Sequence, residues 1–197
     1  MSLFWNFLVY SFLGFLLEVV FARVTRQEKK DRKCYLFLPL CPVYGLGAVG
    51  ILALPQWVAD NFFLLWLAGG LTATAAEYLV GLFYEKTLGV AFWDYSDMKG
   101  NLGGKVCPLF TFLWGGLAVA LRWWLHPLLE PWLAAIPAGW AAPALLVLTL
   151  DGFATLAVLT GTGDVKSLRW YDRLRPAPAP GGSRPASGGR GTRPPGR

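Results

Sequence analysis

Charge is scarce in this chain. Asp, Glu, Lys and Arg make up 15% of its 197 residues, against about 25% in an ordinary soluble domain. Histidine occurs once, at His126. A single imidazole excludes a His-rich metal site and leaves Cys41 or Cys107 without a His base. The three cysteines, 34, 41 and 107, are an odd and sparse set that defines no framework of paired disulfides. Met1–Phe4 carries no positive side chain, and the apolar run beyond it lacks a small-residue cleavage site. The first segment is therefore expected to stay as a helix rather than leave as a signal peptide. A phosphate loop is also missing: Gly161–Ser167 reads GTGDVKS, with Val165 where a glycine should precede the lysine. No cofactor is implied.

What the chain has in abundance is apolar length. It is 55% hydrophobic, with ten Trp and thirteen Phe. A helix that crosses a bilayer needs about 17–25 apolar residues. Five segments qualify: Leu3–Ala22, Leu36–Leu54, Phe62–Tyr84, Pro108–Leu125 and Trp140–Thr160. The predicted fold is an all-α membrane protein, a bundle of five transmembrane helices over residues 1–174. Residues 175–197 are rich in Arg, Pro and Gly, with Ala and Ser and no apolar period, and are expected to be a disordered cytosolic tail.

Basic residues set the orientation. The linker Arg23–Tyr35 holds six, the loop Glu85–Cys107 three and the C-terminal stretch eight. Pro55–Asn61 and His126–Gly139 hold none, with Arg122 alone nearby. Five alternating spans put 17 of the 18 on one side, the cytosol by the positive-inside rule. The N-terminus is then outside and the C-terminus inside. Trp5, Trp57, Trp123, Trp124, Trp132 and Trp140 fall at the outer boundary, where half-wet indoles are favoured. His126–Gly139 reads as a short surface helix or hairpin on that face. The basic linkers suit anionic lipid headgroups; nucleic acid is not an expected partner.

Three acids lie within spans: Glu18, Glu77 and Asp151. Each costs on the order of 2–3 kcal/mol at mid-membrane, so each is expected to face the bundle or a wet cavity. Their helical faces are small and polar. Phe7, Ser11, Gly14 and Glu18 form one stripe, Gly70, Thr74, Glu77 and Gly81 a second, Ala144, Leu148, Asp151 and Thr155 a third. Cys41, Gly45 and Ala48, and Cys107, Thr111, Gly115 and Ala118, form matching stripes on the returning helices. Small residues let backbones approach. The stripes predict one interior site in the cytosolic half, with Glu18, Glu77, Asp151, Cys41, Tyr44, Cys107 and Thr111 as candidates for binding a substrate or ion. A weak parallel repeat supports it: Glu18 followed by Cys41-Pro42, and Glu77 followed by Cys107-Pro108.

The longest polar interruption, Glu85–Pro108, reads EKTLGVAFWDYSDMKGNLGGKVCP. Trp93 and Tyr95 would seat it at headgroup level. Asp94 and Asp97 suit turn caps or pairs with Lys99 or Lys105, and Gly100, Gly103 and Gly104 permit sharp turns. As a lid over the interior site, this loop would act through Trp93, Asp94, Tyr95, Ser96, Asn101 and Lys105. As a plain anchor it would do nothing more.

These residues carry a resemblance. YSFLGFLLEVVF (Tyr10–Phe21), PLCPVYGLG (Pro39–Gly47), Glu77 with Gly81 and Glu85-Lys86, WDYS (Trp93–Ser96), Asn101–Cys107, Trp114-Gly115 and His126-Pro127 together resemble the putative ABC-transporter permease (type IV) family of small bacterial membrane proteins. The likeness covers Tyr10–Pro127, and more loosely the segment with Asp151. Leu38, Gly103 and Lys105 depart from the family pattern, which has Gly, Asn and Arg there. The resemblance implies a multi-pass protein of the bacterial cytoplasmic (inner) membrane with a transport role.

Two functional classes fit. One is a membrane-embedded transport component whose ATPase would be a separate subunit. The other is a non-catalytic adaptor or regulator in which the acids only hold helices together. A homo-oligomer is open under both. An intramembrane hydrolase fits least. Gly161–Asp164 resembles a GxGD fragment, but Asp164 sits at a helix end. Glu18–Arg23 matches only half of a Glu-Glu-x-x-x-Arg motif. The expectation is that the chain is not an enzyme.

Overall fold

The computed structural model describes residues 2–25 and 34–169. The basic cluster between Arg26 and Lys33, Trp170, Tyr171 and the expected tail at 175–197 lie outside them. Among the described residues there is no strand beyond one isolated bridge between Leu102 and Val106.

Helix α1 (Ser2–Val24) has apolar side chains on every side, as a helix with no solvated face does. Helix α2 (Pro42–Leu52) starts at a proline, whose missing N–H costs nothing in a first turn. A one-turn helix, α3 (Gln56–Ala59), turns the chain. Helix α4 (Phe62–Phe83) is capped by Asn61, whose side chain accepts from the Leu64 amide at 3.1 Å. It runs on through a π-turn (Tyr84–Leu88) and ends at Gly89, in the left-handed conformation. Helix α5 (Pro108–Ala120) again begins on Cys-Pro. It continues through a second π-turn (Leu121–Leu125) into α6 (His126–Ala134). Helix α7 (Ala141–Thr162) ends at Gly163, also left-handed.

Four of these stretches are long and apolar enough to cross a membrane: Leu3–Val24, Phe62–Leu88, Pro108–Ala134 and Ala138–Thr162. Two differ from the expected spans. The segment Leu36–Leu54 is helical only over α2. Its 11 residues rise about 16 Å, half the hydrocarbon thickness. The span expected to stop at Leu125 instead continues to Ala134. The π-turn absorbs the amide that Pro127 lacks, so His126-Pro127 kinks the pattern without ending the helix.

Polarity is inside out. Phe63 is 76% exposed and Phe153 67%, while Ser11 is fully buried and Glu77, Asp151 and Thr155 are each 5% exposed. Such a molecule has an apolar solvent. The small-residue stripes are the packing faces. A Cβ on Gly45 would lie 2.2 Å from Ser11 Oγ in α1. One on Gly70 would lie 2.8 Å from the Thr111 carbonyl, and one on Gly115 2.6 Å from the Trp66 carbonyl, so α4 and α5 touch through backbone. Thr74 and Thr111 hydroxyls bond across that seam at 2.9 Å. Tyr10, Ala48, Ile51, Leu65 and Ala118 fill the centre. At the end away from the 85–107 loop, Tyr10 Oη and His126 Nδ1 lie 3.0 Å apart, and Arg122 donates to Gln56.

Candidate functional site

Between α1 and α2 the chain forms a loop, residues 34–41, that enters the bundle. The Cys41 amide donates to the Ser11 carbonyl at 3.0 Å, halfway along α1. Non-helical backbone at such depth must have its amides satisfied by protein. The Leu36 amide donates to Thr155 Oγ1 at 2.9 Å, the Phe37 amide to both Asp151 oxygens at 3.1 Å, and the Leu38 amide to Asp151 Oδ2 at 2.6 Å. Leu40 donates to the Leu38 carbonyl. Asp151 is thus a clasp for the loop. Helix α7 has few direct contacts with α1, α2, α4 or α5, so this clasp is a principal tie between it and the bundle.

Beside the loop lies a cavity of about 240 Å³. Its walls come from α1, α2, α4, α5, loop 34–41 and the 85–107 loop. Toward the α6 end they are Leu13, Ile51, Leu117, Ala118 and Leu125, with Tyr10 turning its hydroxyl to His126. At the other end two acids meet it. Glu18 accepts from Tyr44 Oη at 2.6 Å. Glu77 accepts from Tyr95 Oη at 2.8 Å and from Trp114 Nε1 at 2.9 Å. Tyr44 and Trp114 pack edge to face, linking the two pairs. These donors are neutral, so they orient the carboxylates without adding opposite charge. The arrangement is amphiphilic: an apolar shaft ending in two positioned acids ringed by Tyr and Trp.

The 85–107 loop closes this end. Trp93 and Tyr95 are on the cavity wall. Trp93 Nε1 donates to the Lys105 carbonyl at 2.8 Å, and its ring covers Gly81. The remaining polar residues hold the loop's own shape. Asp94 Oδ1 accepts from both the amide and the hydroxyl of Ser96. Those two bonds, with Lys105 as a weaker influence, hold the exposed Asp94 carboxyl below its usual range. Asn101 donates to the Ser96 and Met98 carbonyls and accepts from the Gly104 amide. Lys105 pairs with Glu85 and donates to the Gly103 carbonyl, so it points along the loop.

Of the candidates named from sequence, Glu18, Cys41, Tyr44, Glu77, Trp93 and Tyr95 line the cavity. Asp151 does not; its oxygens serve the loop amides. Cys107 and Thr111 border a different hollow with Trp66 and Phe112. Asp94, Ser96, Asn101 and Lys105 are scaffold. Asp164 is exposed and caps the turn after α7, accepting from the Lys166 amide at 2.8 Å. Sequence reasoning missed Trp114, Tyr10 and Cys34. Trp114 lies three residues beyond Thr111 on α5, and its long indole reaches back along the antiparallel α4 to Glu77. Tyr10 and Cys34 carried no such signal.

A helical bundle with lipid-facing apolar sides and an acid-bearing interior is a multi-pass membrane protein. Residues 5–158 match the family described as Putative ABC-transporter type IV, and the chain belongs to that family. No curated protein and no solved structure matched it. Family and helices together fit a membrane transport component.

Proposed function

We propose that the chain is the membrane-embedded, permease-like part of a transport system, with its binding site at the acid-lined end of the cavity. The observation that carries this reading is the pairing of Glu18 with Tyr44 and Glu77 with Tyr95 and Trp114 on one wall. Acids held in this way inside a bundle mark substrate or ion paths more often than packing alone. Glu18, Glu77, Tyr44 and Cys41 contact the cargo, and Trp93 and Tyr95 cover it. Asp151 keeps the adjoining loop in place. The chain does not chemically alter its cargo; a separate ATPase docks on the basic loops.

Loop 34–41 and α2 together make the second of five crossings. The charge split supports this, because Arg23–Lys33 and Lys86–Lys105 share a side only if the chain crosses twice between them, once here and once through α4. Broken crossings of this kind are tolerated where they border a site. The basic end is then cytosolic, the N-terminus outside and the C-terminus inside, in the bacterial cytoplasmic membrane, with anionic lipid at the linkers.

The test is purification from native membranes in mild detergent, followed by ATP hydrolysis of the purified assembly. A co-purifying ATPase whose turnover falls at least tenfold in Glu77→Gln, at unchanged abundance, is expected. Absence of any ATPase, or full turnover in both Glu77→Gln and Glu18→Gln, rejects the reading and leaves the non-catalytic adaptor.

A further inference from the structure

The neck of loop 34–41 holds two sulfurs. Cys34 Sγ and Cys41 Sγ are 3.7 Å apart, seven positions apart in sequence. An extended stretch of that length would span about 23 Å, so the loop is folded until its ends meet. Both residues are buried, at 6% and 2% exposure, both are thiols, and both border the cavity. Their sulfurs are already in van der Waals contact. Closing to a bonded distance of about 2.05 Å is a move within reach of rotation about the side-chain torsions. The third thiol, Cys107, lies at the start of α5, where the hollow it borders contains no other cysteine.

We propose that Cys34 and Cys41 are a reversible dithiol–disulfide pair at the neck of this loop, oxidised by exchange with a small uncharged disulfide that enters through the cavity. One thiolate attacks a sulfur of the small disulfide, forming a mixed disulfide and releasing one small thiol. The neighbouring thiolate then attacks the protein sulfur of that mixed disulfide. The Cys34–Cys41 bond forms and the second small thiol leaves. Two protein thiols are oxidised, one small disulfide is reduced to two thiols, and the two protein protons end on those products. The ring so closed spans residues 34–41, whose middle is the part clasped by Asp151. Oxidation therefore fixes the shape of the segment on which the seating of α7 depends. This inference does not require the transport reading.

The experiment uses the full chain in detergent micelles, exposed to 2-hydroxyethyl disulfide and then denatured and labelled with a maleimide. The expected result is loss of two of the three thiols, an intact mass lower by two hydrogens with no adduct, and a Cys34–Cys41 cross-link on peptide mapping. Cys107→Ser should close in the same way. Cys34→Ser should retain the small thiol as a stable adduct on Cys41, or keep Cys41 as a thiol. A wild-type protein that keeps all three thiols under conditions that modify the denatured chain overturns the proposal. So does a stable mixed disulfide on wild-type Cys34 or Cys41, or a bond to Cys107.

Discussion

Removal of the Asp151 carboxylate should loosen α7 from the bundle by an amount the geometry fixes. Two amides, Phe37 and Leu38, donate to it, in three contacts of 3.1, 3.1 and 2.6 Å. A hydrogen bond to a charged group contributes about 1.5–3 kcal/mol, and a buried donor that loses its acceptor also loses its desolvation offset. Asp151→Ala should therefore cost about 3–6 kcal/mol. Asp151→Asn keeps one oxygen acceptor and sacrifices charge assistance, which halves the loss to about 1.5–3 kcal/mol. Reversible unfolding in mixed detergent–SDS micelles measures both. The required order is wild type, Asn, Ala. Amide exchange at Phe37 and Leu38 should speed up in the same order. A difference below about 0.5 kcal/mol between wild type and Ala would refute the clasp, since surface changes produce as much. An Asn variant as stable as wild type yet inactive would refute it differently, by restoring Asp151 to a ligand-binding role.

Three further perturbations test the rest. Gly70→Ala places a Cβ 2.8 Å from the Thr111 carbonyl and 3.2 Å from Gly115 Cα, so α4 and α5 must part; the same unfolding assay should show a loss of about 1–3 kcal/mol. Gly104→Ala puts a Cβ 2.7 Å from Asp94 Oδ1 at a φ of +68, which should unfasten the Asp94–Ser96 turn and raise protease cleavage between Asp94 and Lys105. Asp94 has a folded-state pKa below its unfolded value, so its contribution to loop order is present above the unfolded pKa of about 4 and is lost as pH falls through the lower folded value. Amide exchange of residues 94–104, corrected for intrinsic rate, should be flat from about pH 7 to pH 5 and rise only below about pH 4; Asp94→Asn should remove that step.

How much of this was legible follows from which forces are local. Apolar length announced five spans, of which four are membrane-length helices, and the spacing of Gly, Ser and Thr marked the faces where α1 meets α2 and α4 meets α5. Cys41-Pro42 and Cys107-Pro108 are both helix starts, the first of them inside the span expected from Leu36, because proline belongs in a first turn. What hydropathy could not see was that Leu36–Leu40 is apolar yet not helical. Its amides are satisfied from α7, more than a hundred positions away, and no local pattern encodes that. The same blindness put Asp151 with Glu18 and Glu77. Periodicity gave its face but not whether that face met a cavity or a backbone. The continuation past His126-Pro127 was hidden because a proline reads as a stop unless the preceding turn is wide.

That wide turn has a consequence of its own. A π-turn carries one residue more than an α-helical turn of equal rise, so everything after it is rotated by roughly 100° relative to the phase before it. His126 meets Tyr10 only because Leu121–Leu125 has inserted that offset. Losing a single residue there would return the turn to α-helical pitch, set the Pro127 ring against the preceding turn and swing the imidazole off its phenol. The α6 end of the bundle would change its mating surface while nearly every side chain remained in the sequence.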